Sequence, residues 1–210
     1  MLISHTKKFL FIHIYKNAGT SIKVALLPHC AGLIHRTYVK ASRRLNIPVP
    51  SKINPFLYAT HIKAKSVVKK MGMDEFQRYF SFAVVRNPWD WQVSQYKYMK
   101  KNKKHFQHDI IRKMADFDEY IVWRCNYDVR YQKDYLVSEN DELLVNYIAR
   151  YESLEEDFEK VCSRLGIEAQ LPRLNVSNHI PYQEYYNTQT RDLVAKTFVR
   201  DIEYFGYEFD

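Results

Sequence analysis

The chain has 210 residues, 46% of them hydrophobic and 15% aromatic, a composition far from that of disordered chains and sufficient for one buried core. We therefore expect a single domain over residues 1–210. The 32 Lys and Arg exceed the 24 Asp and Glu, giving a charge of +8 that attracts nucleotides, acidic glycans, nucleic acids or phospholipid surfaces without choosing among them.

The three cysteines indicate a reducing compartment. Cys30, Cys125 and Cys162 are odd in number, widely spaced and form no CxxC pair, which argues against a disulfide framework and against a zinc site. The apolar run at residues 9–14 is too short for a signal peptide. No stretch approaches the roughly 18 apolar residues of a membrane span. We expect a cytoplasmic protein without a transmembrane segment.

The first predicted element is a strand over residues 9–14. These residues read Phe-Leu-Phe-Ile-His-Ile, an almost continuous apolar run that is typical of a strand buried on both faces of a parallel sheet. The run breaks at residues 15–19. A short helix is predicted from Thr20 to just before Pro28. Its apolar side consists of Ile22, Val24, Ala25 and Leu26.

A second unit of the same kind begins with an apolar strand at residues 81–85. Arg86 follows the strand, and Asn87 and Pro88 come next. Because Asn is favoured at helix N-caps and Pro at the first helical position, the sequence predicts a helix from Pro88 to about Lys101.

The remaining pattern predicts further helices and one hairpin. A proline-bearing extended loop is predicted over residues 43–55, and a hairpin over residues 135–137 and 143–148. Helices are predicted over residues 63–70, 74–79, 109–123, 153–166 and 190–204. Ser153 and Glu156 match a capping box at the start of the helix that ends at Gly166. Strands alternating with helices predict an α/β fold with a mostly parallel sheet covered on both faces.

Residues 16–21, named loop 1 here, follow the first strand and include the start of the first helix. Ligands of α/β sheets bind beyond the carboxyl ends of strands, where helix N-termini attract phosphate. Gly19 lets the backbone approach an anion, and Lys16 adds a mobile cation. Thr20 and Ser21 offer hydroxyls and amides. Loop 1 is not a Walker A loop, because Lys16 precedes a lone glycine. An ordinary turn with a surface lysine is the alternative.

A second candidate anion site follows the second strand. Arg86 stands at the strand end, and Ser94 lies about two helical turns further on. The pair can hold one phosphate, with Arg86 as a planar charged fork and Ser94 as a hydroxyl donor. The alternative is an arginine in a structural salt bridge and an ordinary helical serine.

These two segments together resemble the nucleotide-dependent sulfotransferase superfamily, in particular its carbohydrate (sulfotransferase family 2-like) branch. Residues 13–21 look like the family's 5′-phosphosulfate loop, and residues 85–88 with Ser94 and Tyr96 look like its 3′-phosphate motif. Tyr15 stands where the family usually has proline.

The resemblance covers nearly the whole chain. Residues 148–154, 171–175 and 201–207 are similar to later segments of the family. Trp91 is a departure, since an arginine is frequent at that position. The similarity implies a P-loop-like three-layer fold, with a central mostly parallel sheet flanked by helices in a single sulfotransferase domain.

The resemblance also implies a donor, 3′-phosphoadenosine 5′-phosphosulfate (PAPS), and a product, adenosine 3′,5′-bisphosphate (PAP), with no metal. Loop 1 would bind the 5′-phosphosulfate and the second site the 3′-phosphate, which distinguishes this donor from ATP. The residues implied to bind the nucleotide are Lys16, Asn17, Ala18, Gly19, Thr20, Ser21, Arg86 and Ser94.

Two residues are candidates for catalysis. Lys16 could stabilise charge on the departing nucleotide. The acceptor hydroxyl needs a general base, and histidine has a suitable ordinary pKa of about 6.5. His61 is our candidate, because residues 58–64 resemble a family position at which a histidine serves this role. For His13, inside the first strand, we expect a packed, hydrogen-bonded structural role. The other histidines are His5, His29, His35, His105, His108 and His179.

The partner implied by the resemblance is a hydroxyl acceptor, with a glycan favoured over a small-molecule alcohol and no nucleic acid expected. The sequence does not reveal the oligomeric state. Three other functions stay open. The protein is then a nucleic-acid-binding module, a nucleotide kinase or other phosphotransferase, or a non-catalytic sulfotransferase-like fold that only binds a nucleotide or partner. The lysine-rich stretch at residues 97–105 is interpreted as a solvated helix face rather than a binding patch.

Overall fold

The computed structural model describes residues 1–30, 41–42, 44–45, 47, 49–51, 54–172 and 180–210. His35, His179, part of the 43–55 loop and residues 173–175 of a family-like segment lie outside the described residues. Two compact units are present, and the single-domain expectation stays a prediction. Unit 1 comprises the described residues within Met1–Val85 and Tyr135–Asn175, and unit 2 those within Arg86–Asp134 and Val176–Asp210.

Unit 1 contains a four-stranded sheet. Its strands are β1 (Leu2–Ser4), β2 (Phe9–Ile12), β3 (Phe80–Val85) and β4 (Tyr147–Arg150). They lie in the order β1-β2-β3-β4, with β1 antiparallel to β2 and both β2–β3 and β3–β4 parallel. The α/β prediction with a mostly parallel sheet is therefore confirmed, and β1 is an addition that the sequence pattern did not predict.

The described helices occur in both units. In chain order they are α1 (Gly19–Leu26), α2 (Ala64–Met71), α3 (Met73–Gln77), α4 (Pro88–Lys101), α5 (His108–Ile111), α6 (Phe117–Tyr127), α7 (Leu154–Leu165), α8 (Thr188–Thr197) and α9 (Val199–Phe205). Short 3₁₀ turns occupy Leu27–His29, Lys133–Tyr135 and Tyr182–Tyr185.

The core of unit 1 follows from the alternation of side chains along the strands. Phe11 of β2 stands opposite Phe82 of β3, with their rings stacked at 5.1 Å. This face of the sheet packs with apolar side chains of α1 and α7, including Ile22 and Phe158. Each fully buried side chain of this size stabilises the fold by about 2 kcal/mol. All four residues of β2 are buried, as expected for a strand covered on both faces.

The α1 prediction is confirmed in extent but not in every contact. The helix ends at Leu26, and Pro28 lies in the following 3₁₀ turn. Val24, predicted on the apolar side, is 51% exposed, whereas Ile22 and Leu26 are buried.

The start of α4 matches the sequence closely. Asn87 is the N-cap, its side chain accepts a hydrogen bond from the Trp89 amide, and Pro88 is the first helical residue. The Asn87 side-chain amide also donates to the carbonyl of Glu208 at 2.8 Å. Asn87 and Pro88 were sufficient to predict the start of α4 because both residues act within the first turn of the helix.

Two long predicted helices are each divided. The helix expected over residues 109–123 is α5 and α6, because the Asp116 side chain accepts from the Glu119 amide and starts a new helix. The helix expected over residues 190–204 is α8 and α9, which meet at the buried Phe198. Apolar periodicity continues across both breaks and therefore concealed them.

The predicted hairpin is confirmed only around its turn, where Val137 and Leu143 form an antiparallel bridge flanked by backbone hydrogen bonds of 2.8 and 2.9 Å, and it does not extend over residues 145–148. The chain instead turns to the sheet, where the Asn146 side chain accepts from both the amide and the hydroxyl of Ser81. β4 then runs parallel to β3. The expected Ser153 capping box is also absent, because the Ser153 hydroxyl donates to Asp157 at 3.1 Å.

We predict that Asn87→Ala lowers the free energy of unfolding by about 1–2 kcal/mol, because the substitution removes the N-cap of α4 and leaves the Trp89 amide without its acceptor. Urea denaturation followed by circular dichroism measures the change. Asn126→Ala is the matched control, since among the described residues the exposed Asn126 side chain bonds only the Val122 carbonyl of its own helix. Equal losses in the two variants would contradict the capping role.

Candidate active site

Loop 1 is fastened to the sheet by the side chain of Asn17. This side chain is fully buried and donates a hydrogen bond of 2.9 Å to the carbonyl of Val84, near the carboxyl end of β3. The bond joins residues 67 positions apart in the sequence. It holds loop 1 at the edge of the sheet where ligands of α/β folds bind.

The backbone of loop 1 turns through the left-handed region at two residues that are not glycine. Lys16 has φ 64° and Ala18, the N-cap of α1, has φ 54°. Each such residue costs about 1–2 kcal/mol. Turns of this kind direct successive amides toward a concavity that suits an anion. The loop conformation is therefore one that the rest of unit 1 enforces.

The N-terminus of α1 suits an anion. No described side chain caps the helix at Ala18, and its first turn contains no acidic residue. Thr20 is exposed and Ser21 is partly exposed, so their hydroxyls lie beside the helix amides at the surface. Unpaired amides and the helix dipole together attract negative charge.

Gly19 is required by a close approach of the His13 ring. A Cβ atom at position 19 would lie 1.7 Å from Nε2 of His13. His13 is buried, and its ring stacks on Phe11 at 5.6 Å. The packed role expected for His13 is present. Its Nδ1, however, has no hydrogen-bond partner among the described residues, which corrects the expectation of a hydrogen-bonded ring.

His61 lies beside His13 in the same unit. Its Nδ1 is 3.0 Å from the backbone carbonyl oxygen of His13, and the two rings are 4.5 Å apart. The ring of Tyr15 meets His61 edge-on at 5.4 Å. A carbonyl oxygen can only accept, so Nδ1 carries the proton when the His61 ring is neutral, and Nε2 carries the lone pair.

Both histidines are shifted toward their neutral forms. Burial lowers the pKa of His13 to about 2, and the neighbouring His61 acts in the same direction. Burial also lowers the pKa of His61 below its ordinary value of 6.5, although its hydrogen bond to the His13 carbonyl opposes the shift. At neutral pH both rings are therefore uncharged.

In unit 2, Arg86 is held by an ion pair and by its own backbone. The side chain is buried, and its Nε lies 2.6 Å from Asp90 Oδ2, one turn into α4. Its backbone amide donates to Gln132, and its carbonyl accepts from the same side-chain amide at 2.7 Å. Sequence reasoning missed both partners. The four-residue spacing from Arg86 to Asp90 was a usable signal, whereas nothing local marked Gln132.

Gln132 is positioned in turn by Asp201. The carboxylate is fully buried and accepts from the backbone amides of Gln132 and Lys133 at 2.8 and 2.9 Å. Burial raises the pKa of Asp201 to about 6, although the two hydrogen bonds by themselves lower it. The Arg86 backbone thus rests on a chain of hydrogen bonds that reaches α9.

Ser94 and Trp91 lie on α4 with different environments. Ser94 is half-buried and stands one helical turn after Asp90, on the same face of the helix. Trp91, at the position where the family often has arginine, is 2% exposed and belongs to the apolar core.

The sequence-predicted residues fall into two groups. Loop 1 and His61 belong to unit 1, whereas Arg86 and Ser94 belong to unit 2. In unit 1, Asn17 of loop 1 bonds Val84 of β3, and His61 lies against His13. In unit 2, Arg86 comes just before α4 and Ser94 lies within that helix. Their roles in binding and catalysis remain predictions.

A sequence model of the Sulfotransferase family matches residues 1–208, essentially the whole chain. The chain belongs to the sulfotransferase family. Membership supports a transferase that acts on a hydroxyl acceptor. An uncharacterized protein of Archaeoglobus fulgidus is 31% identical over 117 residues, which are 55% of this chain and 92% of that relative.

Two further findings concern the described residues of this sulfotransferase family member. None of its described helices has the length and apolar character needed to cross a bilayer. The same residues contain no cluster of three His, Cys, Asp or Glu arranged as metal ligands. The expectation of metal-free chemistry stays a prediction.

We predict that Gly19→Ala lowers the free energy of unfolding by about 1–3 kcal/mol, because the new methyl group overlaps the His13 ring. In a His13→Ala background the same substitution should cost far less, and denaturant titration of all four proteins gives the coupling energy. Ala18→Gly is the neighbouring control, and it should not destabilise because it relieves a left-handed alanine. An equal cost of Gly19→Ala in both backgrounds would refute the contact.

Proposed function

We propose that this protein transfers a sulfuryl group from PAPS to a hydroxyl of a carbohydrate acceptor. The observation that carries the proposal is the placement of a neutral His61, with its proton directed to the His13 carbonyl, in the same unit as loop 1. Family membership supports sulfuryl transfer in general. The donor and the acceptor class rest on the motif resemblance.

The residues of loop 1 fit a phosphosulfate group. A doubly charged anion needs amide donors, hydroxyls and a cation, and the N-terminus of α1 offers these through its backbone, Thr20, Ser21 and Lys16. The acid-free first turn adds no repulsion. When bound, the donor supplies the activated sulfuryl group. Lys16 would supply positive charge to stabilise the negative charge that develops on the departing nucleotide.

Arg86 and Ser94 would hold the 3′-phosphate. The ion pair with Asp90 uses Nε of Arg86 and orients the guanidinium before any ligand binds. The two hydrogen bonds between the Gln132 side chain and the Arg86 backbone restrict the same residue. Such preorganisation reduces the entropy that binding costs. A 3′-phosphate is the group that separates this donor from ATP.

His61 would accept the proton of the acceptor hydroxyl. Because Nδ1–H donates to the His13 carbonyl, Nε2 is the atom that is free of a proton in the neutral ring. The lowered pKa keeps His61 neutral at physiological pH, so a base is present without prior deprotonation. Tyr15 supports the ring edge-on and limits its rotation.

We place this activity in the cytoplasm. Cys30, Cys125 and Cys162 are all free thiols, and burial raises the pKa of Cys30 to about 12. Free, protonated cysteines suit a reducing compartment.

We predict selective binding of PAP over adenosine 5′-monophosphate in isothermal titration calorimetry. Arg86→Lys and Ser94→Ala should each weaken PAP binding, by about 10- to 100-fold for Arg86, while binding of the monophosphate stays unchanged. Ser163→Ala on the exposed side of α7 is the matched control for Ser94. Equal affinity of the two nucleotides would defeat the 3′-phosphate assignment.

We predict that His61→Gln reduces kcat by about 10²- to 10⁴-fold while PAP affinity stays within about twofold. Protonation of His61 removes the base, so the rate of the wild type should fall only below pH 6.5 and remain flat above it. Initial rates with PAPS across pH provide the test, with His29→Gln as control. Equal losses of turnover and PAP affinity would refute the base assignment, and PAP binding without turnover of any acceptor would favour a non-catalytic binding protein.

A further inference from the structure

A basic surface lies at the end of α4 and in the turn that follows it. Lys100 and Lys101 close the helix, Asn102 is its C-cap, and Lys103 and Lys104 lie in the turn before α5. All four lysines are exposed. No Asp or Glu occurs in residues 91–108. The lysines thus continue beyond the end of α4, whereas the sequence pattern predicts one solvated face of a helix.

The charges of this surface are not neutralised by neighbouring acids. Lys101, Lys103 and Lys104 form no ion pair with any residue that the structure describes. The two acids that flank the stretch are already engaged, since Asp90 pairs with Arg86 at 2.6 Å and Asp109 with Arg112 at 3.0 Å. Asp128, which accepts a hydrogen bond from the Gln107 side chain, binds both Arg124 and Arg130. The surface therefore carries excess positive charge.

Large apolar side chains are exposed among these cations. Phe106 is 73% exposed and Ile110, one turn further along the chain, is 50% exposed. The ring of His105 packs against Phe106 at 4.7 Å, and the guanidinium of Arg130 lies 5.9 Å from the Phe106 ring centroid. An aromatic and an aliphatic side chain are thus exposed close to the lysines along the chain, and the one acid between them, Asp109, is paired with Arg112.

Exposed apolar side chains next to unpaired lysines are unfavourable in water, whereas the surface of an anionic bilayer can accommodate both. Lysines next to a membrane are attracted by anionic headgroups, and Phe side chains enter the boundary between headgroups and acyl chains. A soluble polyanion would also attract the lysines but would leave Phe106 and Ile110 in water. The apolar pair therefore favours a membrane over an acidic polysaccharide.

We propose that this surface, formed by Lys100, Lys101, Lys103, Lys104, Phe106 and Ile110, docks on bilayers that contain anionic phospholipid. Docking is independent of sulfuryl transfer. It would concentrate the protein where acceptors attached to lipids are present.

Cosedimentation with lipid vesicles tests the proposal. One set of vesicles is pure phosphatidylcholine and the other contains about one third phosphatidylglycerol. The variants are Phe106→Ser and a triple charge reversal, Lys101→Glu, Lys103→Glu and Lys104→Glu. The matched control reverses three other exposed lysines, Lys69→Glu, Lys70→Glu and Lys196→Glu, and has the same net charge. Binding of heparin is measured in parallel as a soluble polyanion.

The expected result is binding to the anionic vesicles only. The triple reversal should weaken this binding roughly a hundredfold and Phe106→Ser about tenfold, whereas the control should change it by less than about threefold. Phe106→Ser should leave heparin binding unchanged. No binding to anionic vesicles, or equal effects of the two triple reversals, would overturn the proposal. Vesicle binding that is insensitive to Phe106→Ser while heparin depends on the same lysines would assign the surface to an acidic glycan.

Discussion

The contact between Gly19 and the His13 ring is the constraint on which the candidate active site depends. Only a residue without a side chain lets the ring occupy the space beside the N-terminus of α1. His13 in this position presents its carbonyl to His61, and His61 meets Tyr15. A glycine that the sequence marks for anion approach therefore also determines where the candidate base stands.

A comparable arrangement supports Arg86 in unit 2, but its parts come from distant segments. The Gln132 side chain bonds the Arg86 backbone, and the Asp201 carboxylate accepts from the Gln132 amide. Burial disfavours the charged form of Asp201. Buried polar chains of this kind are costly unless every member is bonded, which makes them sensitive to change at any one residue. The position of Arg86, and with it the phosphate-binding role proposed for it, would thus depend partly on α9.

Local signals predicted the parts of the fold that local forces determine. The apolar runs at residues 9–14 and 81–85 became β2 and β3, and Asn87 with Pro88 started α4 as expected. The hairpin arm that was predicted too long and the missed Gln132 have one cause: both are decided by hydrogen bonds between segments far apart in sequence, such as Asn146 to Ser81. Periodicity and propensity carry no information about such partners.

The left-handed residues of loop 1 have a consequence for the energetics of association. Lys16 and Ala18 adopt a conformation that a glycine would reach without strain, so the loop is a stiff element that stores free energy in the folded state. A stiff loop loses little conformational entropy when an anion binds. The binding enthalpy then reflects the new contacts more than any ordering of the loop. In the proposed anion-binding role, the selectivity of loop 1 would come from shape, because a stiff backbone would not adapt to an anion of the wrong geometry.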